Sequence, residues 1–371
     1  MSRRFLNMVS QKYGSRLYTL CRIELNKHIF YESAAAAVQQ VAKAKKMRDG
    51  WPSTISNCKR LPRSEISFSA APGLASNSNF HFFSLVPGQG EGCVMATDPH
   101  CNTAIYDSAM GSVLLLPPAN FRKPCNSIAL SIPKRRCANS SSLSHEDDHA
   151  LYVMSRSDGS FELFNYCRTR VSDSPPVDNN WYWFSLPRLP PWLGDRGTTN
   201  VVSRPFAAAV VDNTNTIYVS TSDGTYAYDT STGIWRQAGS WVLPFRGSAE
   251  YVPELGLWFG VKGPDSPQHR LCAFDLNSSA GPSSLYEWGY LDDLPDEWAT
   301  LERHLVYVGS GKFCIVTHCI HISSSEEENV TNEELTLLTG VELVDRGDGI
   351  EMIEHRSQRY NIQDARIHCV L

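Results

Sequence analysis

One hairpin is written twice in this chain, as Leu151-Tyr-Val-Met-Ser-Arg-Ser-Asp-Gly-Ser-Phe-Glu-Leu-Phe-Asn165 and as Ile217-Tyr-Val-Ser-Thr-Ser-Asp-Gly-Thr-Tyr-Ala-Tyr-Asp229. Each copy has an apolar strand, a Ser-Asp-Gly turn and a second strand that ends in an aromatic residue followed by Asn or Asp. Asp-Gly between alternating apolar runs is a strong signal for a β-hairpin. Because a recurring hairpin is typical of repeat architectures, the pattern predicts an array of β-sheets.

The second strand of the hairpin can be followed along the chain by its aromatic residue and its Asp or Asn. It recurs as Ile105-Tyr106-Asp107, Leu163-Phe164-Asn165, Ala227-Tyr228-Asp229 and Ala273-Phe274-Asp275. Asp107 and Asp229 each begin an Asp-x-x-x-Gly turn, in which Asp can bind backbone amides and Gly supplies a positive φ. The third strand often ends at Leu-Pro, where proline would stop the ladder. The spacing of these anchors is typical of four-stranded propeller blades.

The anchors predict an all-β protein, a β-propeller of about six four-stranded blades in a single domain that spans residues 1–371. Short apolar runs bounded by turn residues place the blades at 17–31, 80–118, 149–188, 206–244, 249–295 and 303–358, with the main run at about 80–358. The first strand is 17–31. An Ala-rich helical insert at about 33–48 follows, with Ser33 as its N-cap. The spacer 187–205 and the Ser/Glu tract 323–329 are predicted to be loops.

The composition indicates a folded protein whose partners are neither nucleic acids nor membranes. The formal net charge is −5, whereas a nucleic-acid surface needs basic residues to displace counterions. Lys134-Arg-Arg136 is interpreted as a solvated loop, with a weak import signal as the alternative. No apolar run is long enough for a membrane helix. The 11 cysteines contain no Cys-x-x-Cys and favour reduced thiols. We therefore expect a cytoplasmic or nuclear protein, with an organellar one as the alternative because the N-terminus is basic.

Two resemblances refine the fold. Tyr226-Ala-Tyr-Asp-Thr-Ser-Thr-Gly-Ile-Trp-Arg236 resembles a kelch repeat, without the usual Gly-Gly pair. Nearly the whole chain resembles a cereal-expanded, uncharacterised family, domain of unknown function 1668. That resemblance is strongest in Trp241-Val-Leu-Pro-Phe-Arg-Gly-Ser-Ala-Glu-Tyr-Val-Pro-Glu-Leu-Gly-Leu-Trp-Phe-Gly260, and it includes Arg3-Arg-Phe-Leu-Asn-Met-Val9. It implies a kelch-like or galactose-oxidase-like propeller and brings no established activity or catalytic residues.

Three motifs resemble catalytic or ligand sites, but the context of each argues against that interpretation. His145-Glu-Asp-Asp-His149 has the spacing of a zinc motif, but a strand follows at once, so no helix presents both imidazoles. On one strand, Cys314 and His318 would face one side and Cys319 and His321 the other. The four could share a metal only across a bulge. Gly309-Ser-Gly-Lys312 lacks two essential positions of a phosphate loop. We predict no catalytic residue, no metal and no cofactor.

Arg246, Glu250, Tyr251 and Glu254 form the most site-like polar cluster, and the alternative interpretation is a loop rim with paired charges. Rigid β arrays place recognition on their loops. The sequence therefore predicts a non-enzymatic protein-interaction scaffold or binding module, a monomer, for an unknown protein or peptide partner. The alternative is an enzyme, a hydrolase or an oxidoreductase, with its active site on the propeller axis.

Overall fold

The computed structural model describes residues 3–43, 51, 55–69, 80–84, 92–122, 127–133, 149–156, 159–169, 178–190, 206–211, 216–262, 270–278, 281–289, 294–322, 333–362 and 365–371. Strands dominate these residues, and two short helices lie in the N-terminal part. The prediction of a mostly β protein is confirmed. The chain divides into two compact units: unit 1 (Met1–Ser69, Val252–Ala273 and Leu285–Leu371) and unit 2 (Ala70–Tyr251 and Phe274–Ser284).

The elements follow one another as short strands joined by turns. Up to residue 133 they are β1 (Phe5–Lys12), β2 (Leu17–Glu24), α1 (Leu25–His28), α2 (Ala34–Val41), β3 (Ile55–Arg60), β4 (Ser64–Ser69), β5 (His81–Ser84), β6 (Cys93–Thr97), β7 (Thr103–Asp107), β8 (Ser112–Leu116) and β9 (Ile128–Pro133). The next eight are β10 (His149–Met154), β11 (Phe161–Thr169), β12 (Asp178–Leu186), β13 (Ala207–Val211), β14 (Thr216–Thr221), β15 (Gly224–Asp229), β16 (Ile234–Gly239) and β17 (Phe245–Val252). The last are β18 (Leu257–Lys262), β19 (Leu271–Asp275), β20 (Ser283–Trp288), β21 (Trp298–Gly309), β22 (Lys312–His321), β23 (Glu334–Asp345), β24 (Ile350–Asn361) and β25 (Ala365–Val370).

Unit 1 contains two sheets that combine strands from distant parts of the sequence. In the first, with order β25-β1-β2-β4, the residue Val9 of β1 pairs with Leu20 on one side and with Cys369 on the other. In the second, with order β21-β22-β23-β24-β3, four long antiparallel strands are completed by parallel pairing of β24 with β3. Strands β1, β3, β4 and β25 lie outside the predicted blades. Strands β3, β4 and β25 pair with strands remote in the sequence, whereas β1 forms a local hairpin with β2 that the prediction did not include.

The segment predicted as the first strand ends early. It forms β2 as far as Glu24 and then the single helical turn α1. Leu25, Ile29 and Phe30 are buried at a spacing that suits a helical turn rather than an alternating strand. The predicted cap of α2 is confirmed, because Ser33 Oγ accepts a hydrogen bond from the Ala36 amide at 3.2 Å. That helix ends at Val41, and residues 44–48 of the predicted insert lie outside the described residues.

Unit 2 contains three runs of four consecutive antiparallel strands. They are β5 to β8, β9 to β12 and β13 to β16, each paired in chain order. The first and third agree with the predicted segments 80–118 and 206–244. The predicted segment 149–188 omits β9, which pairs with β10 across the residues 134–148. Each run therefore has the strand order of a four-stranded antiparallel meander.

The two hairpins that dominate the sequence form as predicted. In the first, Leu151 pairs with Phe164, and the turn residues 157–158 lie outside the described residues. In the second, Thr221 pairs with Gly224 across a two-residue turn, and Gly224 has a φ of +132°. The Cβ of any other residue at 224 would lie 2.6 Å from the Gly239 carbonyl oxygen. Glycine is therefore required there by both its conformation and its surroundings.

Aromatic residues hold the sheets of unit 2 together. Phe161 contacts Tyr228 edge to face with ring centroids 5.0 Å apart, and Trp235 lies 4.9 Å from Tyr228. Phe164 stacks on Trp181 at 4.8 Å with nearly parallel rings. Such pairs stabilise a fold by about 0.5–1.5 kcal/mol beyond the burial of their area. This packing explains why aromatic residues recur at equivalent places in the sequence.

Candidate functional site

Strand β8 is an edge strand with an unusual apolar surface. It pairs with β7 on one side, and within the described residues no strand pairs with its other side. Val113, Leu114 and Leu115 are 49, 53 and 80% exposed, and Met110 in the preceding turn is 77% exposed. Adjacent strand residues point to opposite faces, so apolar side chains flank this backbone edge on both sides. This combination defines the candidate interaction edge: Met110, Val113, Leu114 and Leu115.

A rigid turn sets the position of this edge. Asp107 Oδ1 accepts hydrogen bonds from the amides of Ala109 and Met110, at 2.8 and 3.2 Å, and Gly111 has a φ of +60°. The Asp-x-x-x-Gly prediction is therefore confirmed at this turn. Because the turn satisfies its amides internally, β8 begins at a defined residue with Met110 held at the entrance to the strand.

The equivalent hairpin in the same unit provides an internal comparison. Asp229 Oδ1 accepts from the Ser231 hydroxyl and from the amides of Ser231 and Thr232, and these hydrogen bonds lower the pKa of Asp229. Strand β16 follows this turn as β8 follows the turn at Asp107, but its sequence is Ile-Trp-Arg-Gln-Ala-Gly. Its Trp235 donates from Nε1 to the Pro187 carbonyl oxygen at 2.9 Å. An equivalent hairpin thus forms with β16, a strand of mixed polar and apolar residues that is partly covered. The fold therefore does not require the exposed leucines of β8.

The polar residues predicted as a binding site are divided between the two units. Arg246, Glu250 and Tyr251 lie on β17 in unit 2, where Arg246 is exposed and the other two are partly buried. Glu254 lies in a turn of unit 1, where its carboxylate accepts a hydrogen bond from the Tyr307 hydroxyl at 3.4 Å. The structure thus brings three of the four residues together on one strand. Their role in binding stays a prediction.

The motifs that resemble ligand sites have structural explanations where the structure describes them. Cys319 belongs to a buried cluster with Trp51 and Leu337, and His321 contacts Trp298 edge to face at 5.1 Å. Gly309-Ser-Gly-Lys312 forms the tight turn between β21 and β22, in which Ser310 and Gly311 have positive φ. Residues 145–148 lie outside the described part of the chain. In the part described, no three His, Cys, Asp or Glu side chains are placed to share a metal, and the thiols of Cys21, Cys58, Cys272, Cys314 and Cys369 form no disulfide.

A buried histidine in unit 1 has both ring nitrogens engaged. His355 is inaccessible to solvent; its Nδ1 accepts from the Tyr31 amide at 3.1 Å, and its Nε2 lies 3.0 Å from Glu342 Oε2. An acceptor Nδ1 places the proton on Nε2, which therefore donates to the Glu342 carboxylate. Burial lowers the pKa of His355, even though Glu342 favours the charged ring. Since neither nitrogen is left to take a proton from a substrate, this histidine joins the segment at Tyr31 to β24 rather than serving as a base.

The lowered pKa of His355 predicts a loss of stability in acid. Below about pH 6.5 the unfolded chain binds a proton that the folded chain does not, so the free energy of unfolding falls as the pH falls. His355→Gln can retain one donor and one acceptor without titrating, and we expect it to reduce the slope of stability against pH by up to about 1.4 kcal/mol per pH unit. Urea unfolding at several values between pH 5 and 7 measures both slopes. Parallel dependences for the two proteins would contradict the prediction.

A second polar cluster in unit 1 is partly exposed. Glu334 Oε2 accepts from the Tyr13 hydroxyl at 2.6 Å and lies 3.3 Å from His318 Nε2. Burial and the neighbouring carboxylate raise the pKa of Tyr13 to about 12. His318 Nδ1 is 3.3 Å from the Thr336 hydroxyl. These contacts connect the turn after β1 with β22 and β23, and they were not evident from the sequence because Tyr13 is remote from His318 and Glu334 along the chain.

Comparison with known proteins identifies the family. The family described as protein of unknown function DUF1668 matches residues 3–360, so the chain belongs to that family. No curated protein matches the sequence. Among solved structures, the WD40 domain of SCAP from fission yeast is similar with 10% identity and a TM-score of 0.33, covering 97% of this chain and 88% of that one. The β-propeller domain of Cps50 (Swd1) from Myceliophteria thermophila has 11% identity and a TM-score of 0.33, covering 73% and 82%. Scores this low carry neither a fold nor a function to this chain.

Proposed function

We propose that this protein is a non-enzymatic interaction module that binds an extended, apolar segment of a partner protein by adding it as a strand beside β8. The observation that carries the proposal is the candidate interaction edge, where exposed apolar side chains flank a backbone edge that pairs with no other strand of the described residues. In strand addition, main-chain hydrogen bonds supply affinity and alternate side chains supply specificity. Soluble proteins normally protect such an edge with charges or proline. Strand β8, Ser-Val-Leu-Leu-Leu, has neither within its length.

The proposed contact with the partner lies at a sheet edge rather than at the loop rim that the sequence predicts. Strand β17 offers a second surface through Arg246, Glu250 and Tyr251, of which Arg246 is the exposed member. The edge at β8 offers four exposed apolar side chains in one short segment, and buried apolar area is the main favourable term in association. We therefore assign the partner contact to β8.

The arrangement as a kelch-like β-propeller of about six blades in a single domain is part of the same proposal. Three consecutive four-stranded meanders in unit 2, and the Tyr-Asp and Trp positions at Tyr228, Asp229 and Trp235, support it. The absence of enzymatic activity, the monomeric state and the cytoplasmic or nuclear location are likewise proposed. Within the described residues, neither helix is long enough to cross a bilayer.

Peptide binding tests the proposal directly. Peptides selected on the full chain from a random library should contain alternating apolar residues, and Leu114→Lys/Leu115→Lys should weaken their binding at least about tenfold, which is about 1.4 kcal/mol. The reason is that charges on an edge strand oppose pairing with a further strand. Fluorescence anisotropy with labelled peptides measures the dissociation constants.

Two controls make this test specific. Ile234→Lys changes a residue that is 63% exposed on the equivalent strand β16, and it should leave peptide binding unchanged. N-methylation of alternate peptide amides should abolish binding, because it removes the main-chain donors that strand addition uses. Unchanged binding of the methylated peptides would refute strand addition. A dimer of the free protein that the double variant dissociates would instead assign the edge to a second copy of this chain.

A further inference from the structure

We infer that unit 1 carries a binding site for a dianionic oxyanion, a phosphate group, between α1, β3 and β24. The site is formed by Lys27 and His28 at the end of α1, Lys59 on β3 and Arg356 on β24. It lies in a different unit from the candidate interaction edge and does not depend on the function proposed for β8.

The fold brings these four residues together from three parts of the chain. Parallel pairing of β24 with β3 places Lys59 beside Tyr360. The Arg356 amide donates to the Ile29 carbonyl oxygen at 2.9 Å, and its Nη1 donates to the Lys27 carbonyl oxygen at 3.4 Å. These hydrogen bonds fix β24 against the residues that follow α1. Arg356 therefore lies against the segment that carries Lys27 and His28, and Lys59 lies on the strand beside β24.

Arg356 is pre-organised for an anion. Its guanidinium lies over the ring of Tyr31, 4.3 Å from the ring centroid, and this contact favours the observed orientation of the side chain. A guanidinium has five N–H donors, and the contact with the Lys27 carbonyl oxygen uses only one nitrogen. The planar group is suited to paired hydrogen bonds with phosphate oxygens.

Among the described residues, the cations of this site are not engaged in ion pairs. Throughout the part of the chain that the structure describes, no carboxylate lies within ion-pair distance of Lys27, Lys59 or Arg356. By contrast, Lys262 and Arg270 in the same unit share Glu287, and Arg346 pairs with Glu351 at 2.7 Å. Lys27 and Lys59 are exposed, so a ligand can reach them.

The pKa of His28 responds to the charges around it. Partial burial, then Lys59, Lys27 and Arg356, lower its pKa, and Glu24 is the one acidic group that opposes them. Three like charges around one imidazole are unfavourable unless an anion joins them. A bound dianion would favour the charged ring, so binding and protonation of His28 strengthen each other. Affinity for the anion is therefore expected to rise as the pH falls through the pKa of His28.

Sulfate and inorganic phosphate are the probes, and NMR of the His28 ring in the full chain is the readout. Sulfate keeps its charge throughout the range in which histidine titrates, so any pH dependence of its binding comes from the protein. Both anions should raise the pKa of His28, and Lys27→Gln/Lys59→Gln should weaken their binding at least about tenfold because two attractive charges are lost. Arg346→Gln, which removes a cation that is already paired, should leave binding unchanged.

A third probe distinguishes the source of the phosphate. O-phosphoserine that binds more tightly than inorganic phosphate would assign the site to a phosphate ester, and equal binding would assign it to the free ion. Either result supports the site. If neither anion moves the pKa of His28, or if the double lysine variant binds them as well as the natural protein does, the inference is wrong.

Discussion

Phe164→Ala is expected to lower the free energy of unfolding of unit 2 by about 3–5 kcal/mol, the cost typical of emptying a buried aromatic position. Phe164 has no exposed surface, stacks on Trp181 and lies 4.8 Å from Trp183, ring centroid to ring centroid. Alanine would remove both ring contacts and leave a cavity beside Val153. Urea unfolding followed by tryptophan fluorescence measures the loss, since two tryptophans adjoin the site.

The neighbouring strand offers a matched control for this prediction. Phe184 on β12 is 41% exposed and pairs with Leu163, one residue away from Phe164. Phe184→Ala removes a ring of the same size from the exposed side and should cost less than about 1 kcal/mol. Equal losses for the two variants would show that the layer around Phe164 does not hold β11 against β12.

Gly340→Ala is expected to destabilise unit 1 by about 3 kcal/mol, at the upper end of what overpacking usually costs. A Cβ at residue 340 would lie 2.6 Å from the Ile29 carbonyl oxygen and 3.1 Å from Phe30 Cε1. The carbonyl cannot simply withdraw, because it accepts the hydrogen bond of the Arg356 amide. The pairing of β23 with β24 shifts register between Thr339 and Val341, which makes the room that the segment at Ile29 occupies.

Unfolding of the variant measures this cost, and Gly289→Ala is the control. A Cβ at residue 289 would meet no atom within 4 Å, so that change should be close to neutral. The Gly340 variant should also disturb the His28 titration, because Ile29 and Arg356 position the proposed anion site. A stable Gly340→Ala protein with an unaltered His28 signal would contradict the packing described for this segment.

The local elements of the fold were predictable because their signals are local. The hairpins at Leu151 and Ile217, the turns at Asp107 and Asp229 and the Ser33 cap each depend on a few adjacent residues, and all are present. Pairings between remote segments have no such signal. The contacts of β1 with β25 and of β24 with β3 therefore emerged only from the structure.

The candidate site was predicted less well than the fold, for a physical reason. Composition draws attention to charged clusters such as that around Arg246, whereas an apolar run such as Val113-Leu-Leu115 normally indicates a buried strand. Whether such a run is covered depends on its position at the end of a sheet, which periodicity does not reveal. In the proposed anion site, Arg356 is likewise about 300 residues from Lys27 and Lys59, and the contacts of β24 with β3 and with the segment at Ile29 bring these segments together.

The pairing of β1 with β25 has a consequence for how the protein is made. At typical rates of translation, about 5–20 residues per second, on the order of 20 to 70 s pass between synthesis of Val9 and of its partner Cys369. Most of unit 2 is contiguous and is synthesised in between, so it can fold on the ribosome while one side of β1 still lacks its partner. Unit 1 is therefore the last to be completed, and until β25 is made one edge of β1 stays open to pairing with other strands.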